Sequence, residues 1–293
     1  MSIKAILVPL NGSDTGCDSS ALTSALTFSD RFSGNVDALH VKRDPRAAAS
    51  FVGEGMTTSM IESVIDMAEK DSQKREAAAS ALFNELCSSR NISIEREMSD
   101  TASGSPTARF ISRPGNQEDL LPEYGRMFDL IVVCKKTVER NSDNQHIINS
   151  AILETGRPVL VVNEALKPDF GKRIAVIWNG SVESSRAISL ALPVLKTASE
   201  VSLICAVDDL SEKISPDEAV RYLSLYGIQA STCIVHGSGG RSTAATLLAE
   251  AEKFNADLLV MGAYTQGKLR RLLFGAVTAE MLGKCKLPIL MAH

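Results

Sequence analysis

Ile6-Leu7-Val8-Pro9-Leu10-Asn11-Gly12-Ser13 returns later in the chain as Ile174-Ala175-Val176-Ile177-Trp178-Asn179-Gly180-Ser181. Each copy is a short apolar run, which reads as a buried strand, closed by Asn-Gly-Ser. A helical stripe follows each: Leu22, Ala25 and Leu26 after the first, Ile188, Ala191, Leu192 and Leu195 after the second. The first copy carries two extra residues in the intervening loop. The ends of the segments match as well. Asp129-Leu130-Ile131-Val132-Val133 parallels Asp257-Leu258-Leu259-Val260-Met261, and Arg157-Pro158-Val159-Leu160 parallels Leu287-Pro288-Ile289-Leu290. One module is written twice, and 293 residues are enough for both copies.

In the second copy, strands and helices alternate. Strands are expected near 173–178, 200–207, 228–235, 257–261 and the end of the chain, with helices near 182–197, 216–226, 241–254 and after 275. Ser215-Pro216-Asp217-Glu218 is a cap with proline in the first turn, and Pro193 should kink or end its helix early. Helices between strands imply right-handed crossovers and a parallel sheet covered on both faces. The first copy follows the same order with insertions. A small-residue loop spans 47–55, a helix about 58–90, and a Ser/Thr/Gly/Pro-rich stretch at 99–116 reads as an excursion. Met60, Val64, Met67 and Ala68 form an apolar stripe, read as core packing rather than a ligand-contacting face. The reading is two domains, 1–163 and 173–293, joined by a short linker at 164–172 that favours docking over tumbling.

Composition narrows the function. Net charge is -4 and aromatics make up 5% of the chain, which argues against nucleic acid as a partner. No apolar run reaches membrane-spanning length and no leader pattern opens the chain, so the expected location is cytoplasmic. The six cysteines, Cys17, Cys87, Cys134, Cys205, Cys233 and Cys285, form no CxxC pair and read as reduced thiols.

The last strand-like run but one opens on a basic, glycine-bearing loop: Gly262-Ala263-Tyr264-Thr265-Gln266-Gly267-Lys268-Leu269-Arg270-Arg271, then Gly275-Ala276-Val277-Thr278 at a helix start. Gly262 is expected to permit a turn with positive φ. Strand, glycine loop and helix N-terminus can cradle a phosphate, or the glycines can simply turn the chain. Lys268, Arg270 and Arg271 suit phosphates or a solvated loop face equally. This stretch resembles the Gly-x2-Gly-x9-Gly-[Ser/Thr] signature of the universal stress protein family. Gly262 and Gly275 match it; Thr265 and Ala276 depart from it, with Thr278 a nearby hydroxyl. The resemblance covers essentially the whole chain and implies a tandem member. Its fold would be two open α/β sandwiches, Rossmann-like and similar to the adenine nucleotide alpha hydrolases, each with a five-stranded, mostly parallel sheet. Family domains commonly pair, so the resemblance also implies a pseudo-dimer within the chain and a homodimer of chains. It implies ATP or another adenine nucleotide, with Mg, held by the glycine loop, by Asn179 and Gly180 where relatives place an Asp, and by backbone at Ala206 and Val207.

Asn179-Gly180-Ser181 also suits a plain helix cap, and His236 to Thr243 suits an anion site or a capped turn. In the first copy Cys134 stands where Gly262 stands, and 134–146 contains no glycine. That half reads as having kept the fold and lost the site. There is no Walker lysine, no Gly-x-Ser-x-Gly, no HExxH, and the four His pair with no nucleophile in sequence, so turnover is not expected. Two functions remain open: a stress-response sensor or regulator that binds nucleotide in its second domain, and a nucleotide-free member acting through unidentified protein partners and dimerisation. An ATP-using enzyme ranks behind both, because the Ser-Gly-Gly-x-Asp-Ser loop of such enzymes is absent.

Overall fold

The computed structural model describes residues 2–13, 15–46, 57–95, 105–135, 142–207, 214–236, 240–263 and 276–293. The first half runs β1 (Ala5–Pro9), α1 (Thr15–Phe32), β2 (Asn35–Lys42), α2 (Thr58–Ser89), β3 (Ser93–Ile94), β4 (Thr107–Pro114), α3 (Gln117–Gly125), β5 (Leu130–Cys134), α4 (Ser142–Glu154) and β6 (Val159–Val162). The second runs β7 (Arg173–Ile177), α5 (Val182–Leu195), β8 (Glu200–Ala206), α6 (Pro216–Ser224), β9 (Ala230–Val235), α7 (Thr243–Lys253), β10 (Leu258–Gly262), α8 (Ala276–Lys284) and β11 (Ile289–Ala292). All strands among the described residues join one eleven-stranded sheet, ordered β3-β4-β2-β1-β5-β6-β11-β10-β7-β8-β9. Within each half the pairing is parallel, and β6 meets β11 antiparallel. The second half has the five strands expected; the first has five and the two-residue β3 at its edge.

Strand alternation divides the core between the two faces of the sheet. Ile6, Val8, Ile174 and Val176 lie in one buried cluster; Leu7, Ala175 and Ile177 lie in the other. Each cluster therefore crosses from one half to the other. The repeated aspartates explain how each half closes. The Asp129 carboxylate accepts from the N–H groups of Lys4 (2.8 Å) and Ala5 (3.0 Å), and Asp257 accepts from those of Lys172 (2.9 Å) and Arg173 (3.1 Å). The same residue type fixes the start of the first strand in both copies. Pro193 sits in the last turn of α5, which ends at Leu195.

Three expectations need correction. Residues 107–114, inside the stretch read as an excursion, are β4, which pairs with β2 over eight residues. Its polar residues conceal it: Arg109 forms an ion pair with buried Asp37, and Tyr124 hydrogen-bonds the pair. Met60 and Met67 are 49% and 72% exposed, so the stripe is not core. At 32 residues, α2 buries only Ala79, Phe83 and Cys87, near its C-terminal end. Not all cysteines are thiols: Cys17 and Cys134 form a disulfide, with Cα atoms 5.5 Å apart. The 47–55 loop lies outside the described residues.

The halves are bound by more than the sheet. Lys135, next to the end of β5, is buried and reaches the C-terminal end of α8, donating from Nζ to the carbonyls of Leu282 and Cys285. Those carbonyls lack helical partners, and the ammonium suits the negative end of the helix dipole. The linker is anchored as well. Phe170 is buried, packs its ring 4.6 Å from that of Phe28 and lies under the guanidinium of Arg31, which donates to the Phe170 carbonyl (2.8 Å). Phe170→Ala should therefore cost about 3–5 kcal/mol, the range for truncating a core aromatic. Urea unfolding monitored by circular dichroism gives the value; a loss under 1 kcal/mol would mean that the linker does not help dock the halves.

Candidate functional site at the carboxyl edge of the sheet

In both halves the strand order reverses beside the first strand: β5 and β2 flank β1, and β10 and β8 flank β7. An open α/β sheet splits its covering helices at this point, leaving a crevice at the carboxyl ends of the strands. In the second half Asn179, Gly180 and Ser181 line its start. Gly180 adopts φ +67°, the Asn179 side-chain oxygen accepts from Ser181 N–H (3.2 Å), and the Ser181 hydroxyl accepts from Ser184 N–H (3.1 Å). Ser181 is thus the N-cap of α5. The cap reading holds for Ser181, and Asn179 gives the turn one of the two bonds its side-chain oxygen can accept. Val207, half-buried, follows β8 beside this turn. Trp178 is buried and its indole N–H donates to the Ile214 carbonyl (3.2 Å).

Gly262 closes β10 without a positive φ, contrary to the turn expected there. Its missing side chain has another cause. A Cβ on Gly262 would lie 2.5 Å from Ser184 N and 2.6 Å from the Glu183 carbonyl carbon. The first turn of α5 passes directly over the end of β10, and only hydrogen fits between them. Thr265, Gly267, Lys268, Arg270, Arg271 and Gly275 lie outside the described residues. Beyond them α8 begins at Ala276, with Val277 37% exposed and Thr278 buried. Ser242 at the end of the 236–243 stretch caps α7 by accepting from Ala245 N–H (3.2 Å), as the capped-turn reading requires.

The same place in the first half holds a cavity of about 310 Å³. Asn11, from the turn after β1, His40 and Val41 near the end of β2, and Arg43, Asp44 and Pro45 after it supply one side. Ala68, Asp71, Ser72 and Arg75 of α2 supply the other. Gly12, at φ +72°, runs so close to α2 that a Cβ there would lie 2.0 Å from the Arg75 carbonyl oxygen. The turn is held from beneath by Asp18, whose carboxylate accepts from the N–H groups of Asn11 (3.1 Å) and Gly12 (2.7 Å).

Residues 171–293 match the sequence model of the Universal stress protein family. The second half of the chain is a universal stress protein domain. Two solved structures extend the likeness of fold to both halves. One is a universal stress protein from Archaeoglobus fulgidus DSM 4304, with 15% identity, 98% of this chain and 95% of that chain covered, and a TM-score of 0.64. The other is a functionally unknown protein from Pseudomonas aeruginosa PAO1, with 17% identity, 99% and 92% covered, and a TM-score of 0.60. No curated protein sequence matches the chain. The universal stress protein domain brings Asn179, Gly180, Val207, Gly262 and the N-terminal turn of α8 to the carboxyl edge of one sheet.

Sequence reading missed the cavity of the first half. Its signals were present: Asn11-Gly12-Ser13 duplicates 179–181, Arg43 and Asp44 follow β2, and residues 68, 71, 72 and 75 have one-face helical spacing. The wall mixes charges, with Arg75 paired to Asp71 (2.7 Å) on α2. His40 is buried and its Nδ1 lies 2.9 Å from the Leu10 carbonyl, so Nδ1 carries the proton. Burial holds this imidazole below its usual range. The bond to Leu10 and the Glu76 carboxylate pull it up, while Lys42 and Arg75 push it further down. Among the described residues no cluster of His, Cys, Asp and Glu could hold a metal ion, and no helix is long and apolar enough to cross a membrane.

Two outcomes follow. Gly262→Ala should lose about 1–3 kcal/mol by overpacking, in the absence of any ligand. A ligand-free urea melt equal to wild type would contradict the close approach of α5. For His40, a folded-state pKa below the unfolded value of about 6.5 means that the unfolded chain binds the proton more readily. Stability from this residue is present above that value and lost as pH falls through the folded pKa. His40→Gln should therefore show a shallower decline than wild type between roughly pH 7.5 and 5, from melts at each pH. Parallel declines would place His40 in a solvated setting.

Proposed function

We propose that the chain is a stress-response sensor or regulator whose second half binds an adenine nucleotide, with Mg, without turning it over. The reading rests on one observation: Asn179, Gly180, Val207 and Gly262, which the sequence assigns to a ligand, lie at the carboxyl ends of the adjacent strands β7, β8 and β10, in the half that matches the Universal stress protein family. Backbone groups at the end of β8 would take the base, the 179–181 turn the ribose, and the loop after Gly262 with Gly267, Lys268 and Gly275 the phosphates. Catalysis is left out because no nucleophile and base stand together in the sequence. A second reading, nucleotide-free regulation through protein partners, draws on a specific observation. Asn179 already holds the turn and Ser181 already caps α5, and packing alone accounts for Gly262.

Thermal melts with millimolar Mg-ATP separate the two. A ligand at 100 times its dissociation constant adds about 2.7 kcal/mol of stability. Wild type should shift, and Lys268→Ala/Arg270→Ala/Arg271→Ala should shift far less, each compared with its own ligand-free melt. No shift in wild type would leave the nucleotide-free reading standing. A shift lost instead in Arg43→Ala/Arg75→Ala would move the site to the cavity of the first half.

A further inference from the structure

Cys17 lies in the first turn of α1 and Cys134 is the last residue of β5, so their bond spans 117 residues of sequence. The repeat shows what this position is. Matching Leu22 to Ile188 and Leu26 to Leu192 sets Cys17 opposite Glu183; matching β5 to β10 sets Cys134 opposite Gly262. Those are the residues whose backbones touch in the second half. At the closest helix–strand approach of the fold, one half has a glycine under a helix and the other has a covalent bond.

The bond lies between two devices already described. The residue after Cys17 is Asp18, 6% exposed, whose carboxylate holds the Asn11 and Gly12 amides and with them one wall of the cavity. The residue after Cys134 is Lys135, which grips the second half. The sulfurs differ in access. Cys134 is buried, whereas Cys17 is half-buried beside exposed Gly16. A helix N-terminus also stabilises a thiolate, through its free N–H groups and dipole.

We propose that Cys17 and Cys134 are a reversible thiol–disulfide site, and that the oxidised state fixes the turn at Asn11 and Gly12 and the cavity wall it carries. Reduction takes a dithiol. Its thiolate attacks the accessible Cys17 sulfur, the S–S bond breaks, and Cys134 leaves as a thiolate that takes up a proton. The second thiol of the reductant then displaces Cys17 and closes its own disulfide, so two electrons and two protons reach the protein. Oxidation takes a peroxide. The Cys17 thiolate attacks one oxygen and becomes a sulfenic acid, releasing water once protonated; the Cys134 thiol then attacks that sulfur and releases a second water.

The test uses the full chain, air-oxidised and then equilibrated with dithiothreitol or hydrogen peroxide under native conditions. Thiol counting in denaturant should give four thiols in the oxidised protein, Cys87, Cys205, Cys233 and Cys285, and all six cysteines after reduction. Peptide mapping should recover the Cys17–Cys134 link before reduction and again after peroxide. Hydrogen exchange of the Asn11 and Gly12 amides should quicken at least tenfold on reduction, with 179–181 unchanged. Cys17→Ser should show the fast exchange permanently, and Cys233→Ser should behave as wild type. Cys134→Gly, which places the second half's residue in the first, serves if the serine variant fails to fold. It should fold and exchange fast whatever the redox state. Six thiols in the oxidised protein, a link that native dithiothreitol leaves intact, exchange unchanged by reduction, or loss of the whole fold on reduction would each overturn the proposal.

Discussion

Three pairs of residues, Val159 with Met291, Leu160 with Leu290 and Val161 with Ile289, carry the antiparallel contact between β6 and β11. The rest of the molecule depends on that contact. A sheet edge leaves a row of N–H and C=O groups unpaired, and both of these edges are wholly apolar, with every residue of β6 and β11 buried. Neither half could present such an edge to water at low cost. Joined, the two edges vanish and each core cluster becomes continuous across the molecule. The buried Lys135 and the Phe170 linker then fasten helices that the sheet has already set side by side.

The second half was almost wholly legible in the sequence, because its elements are punctuated by local chemistry. Ser181, Ser215 and Ser242 each cap the helix that follows. The first half was less so, and each failure has a physical cause. β4 contains Thr107, Arg109 and Ser112, polar residues that composition assigns to a loop; they tolerate a strand because Asp37, Tyr124 and Asn35 meet two of them. The methionine stripe of α2 has true helical periodicity, but periodicity reports a face and not what covers it. The disulfide joins residues 117 positions apart, a distance over which spacing carries no information.

For the site, sequence placed the turn after the first strand correctly but expected a positive φ at Gly262, which the structure does not have. Gly262 looked like a turn residue, and the structure shows a helix resting on it. A glycine records only that a side chain is not tolerated; the neighbour that forbids it is a tertiary fact. The cavity of the first half escaped notice on the same ground, since one side of it comes from α2, a helix whose contacts no local pattern specifies.

Placing both halves in one polypeptide also relaxes a rule of symmetry. In a two-fold dimer of identical chains every substitution appears twice, at equivalent points about the axis. A cysteine pair that suits one crevice would then have to suit both, and an overlong helix would be duplicated along with it. Here each change occurs once. The chain keeps the geometry of a symmetric pair while its two crevices are free to differ: one is pinned by sulfur and walled by a 32-residue helix, and beside the other a helix rests on a bare glycine.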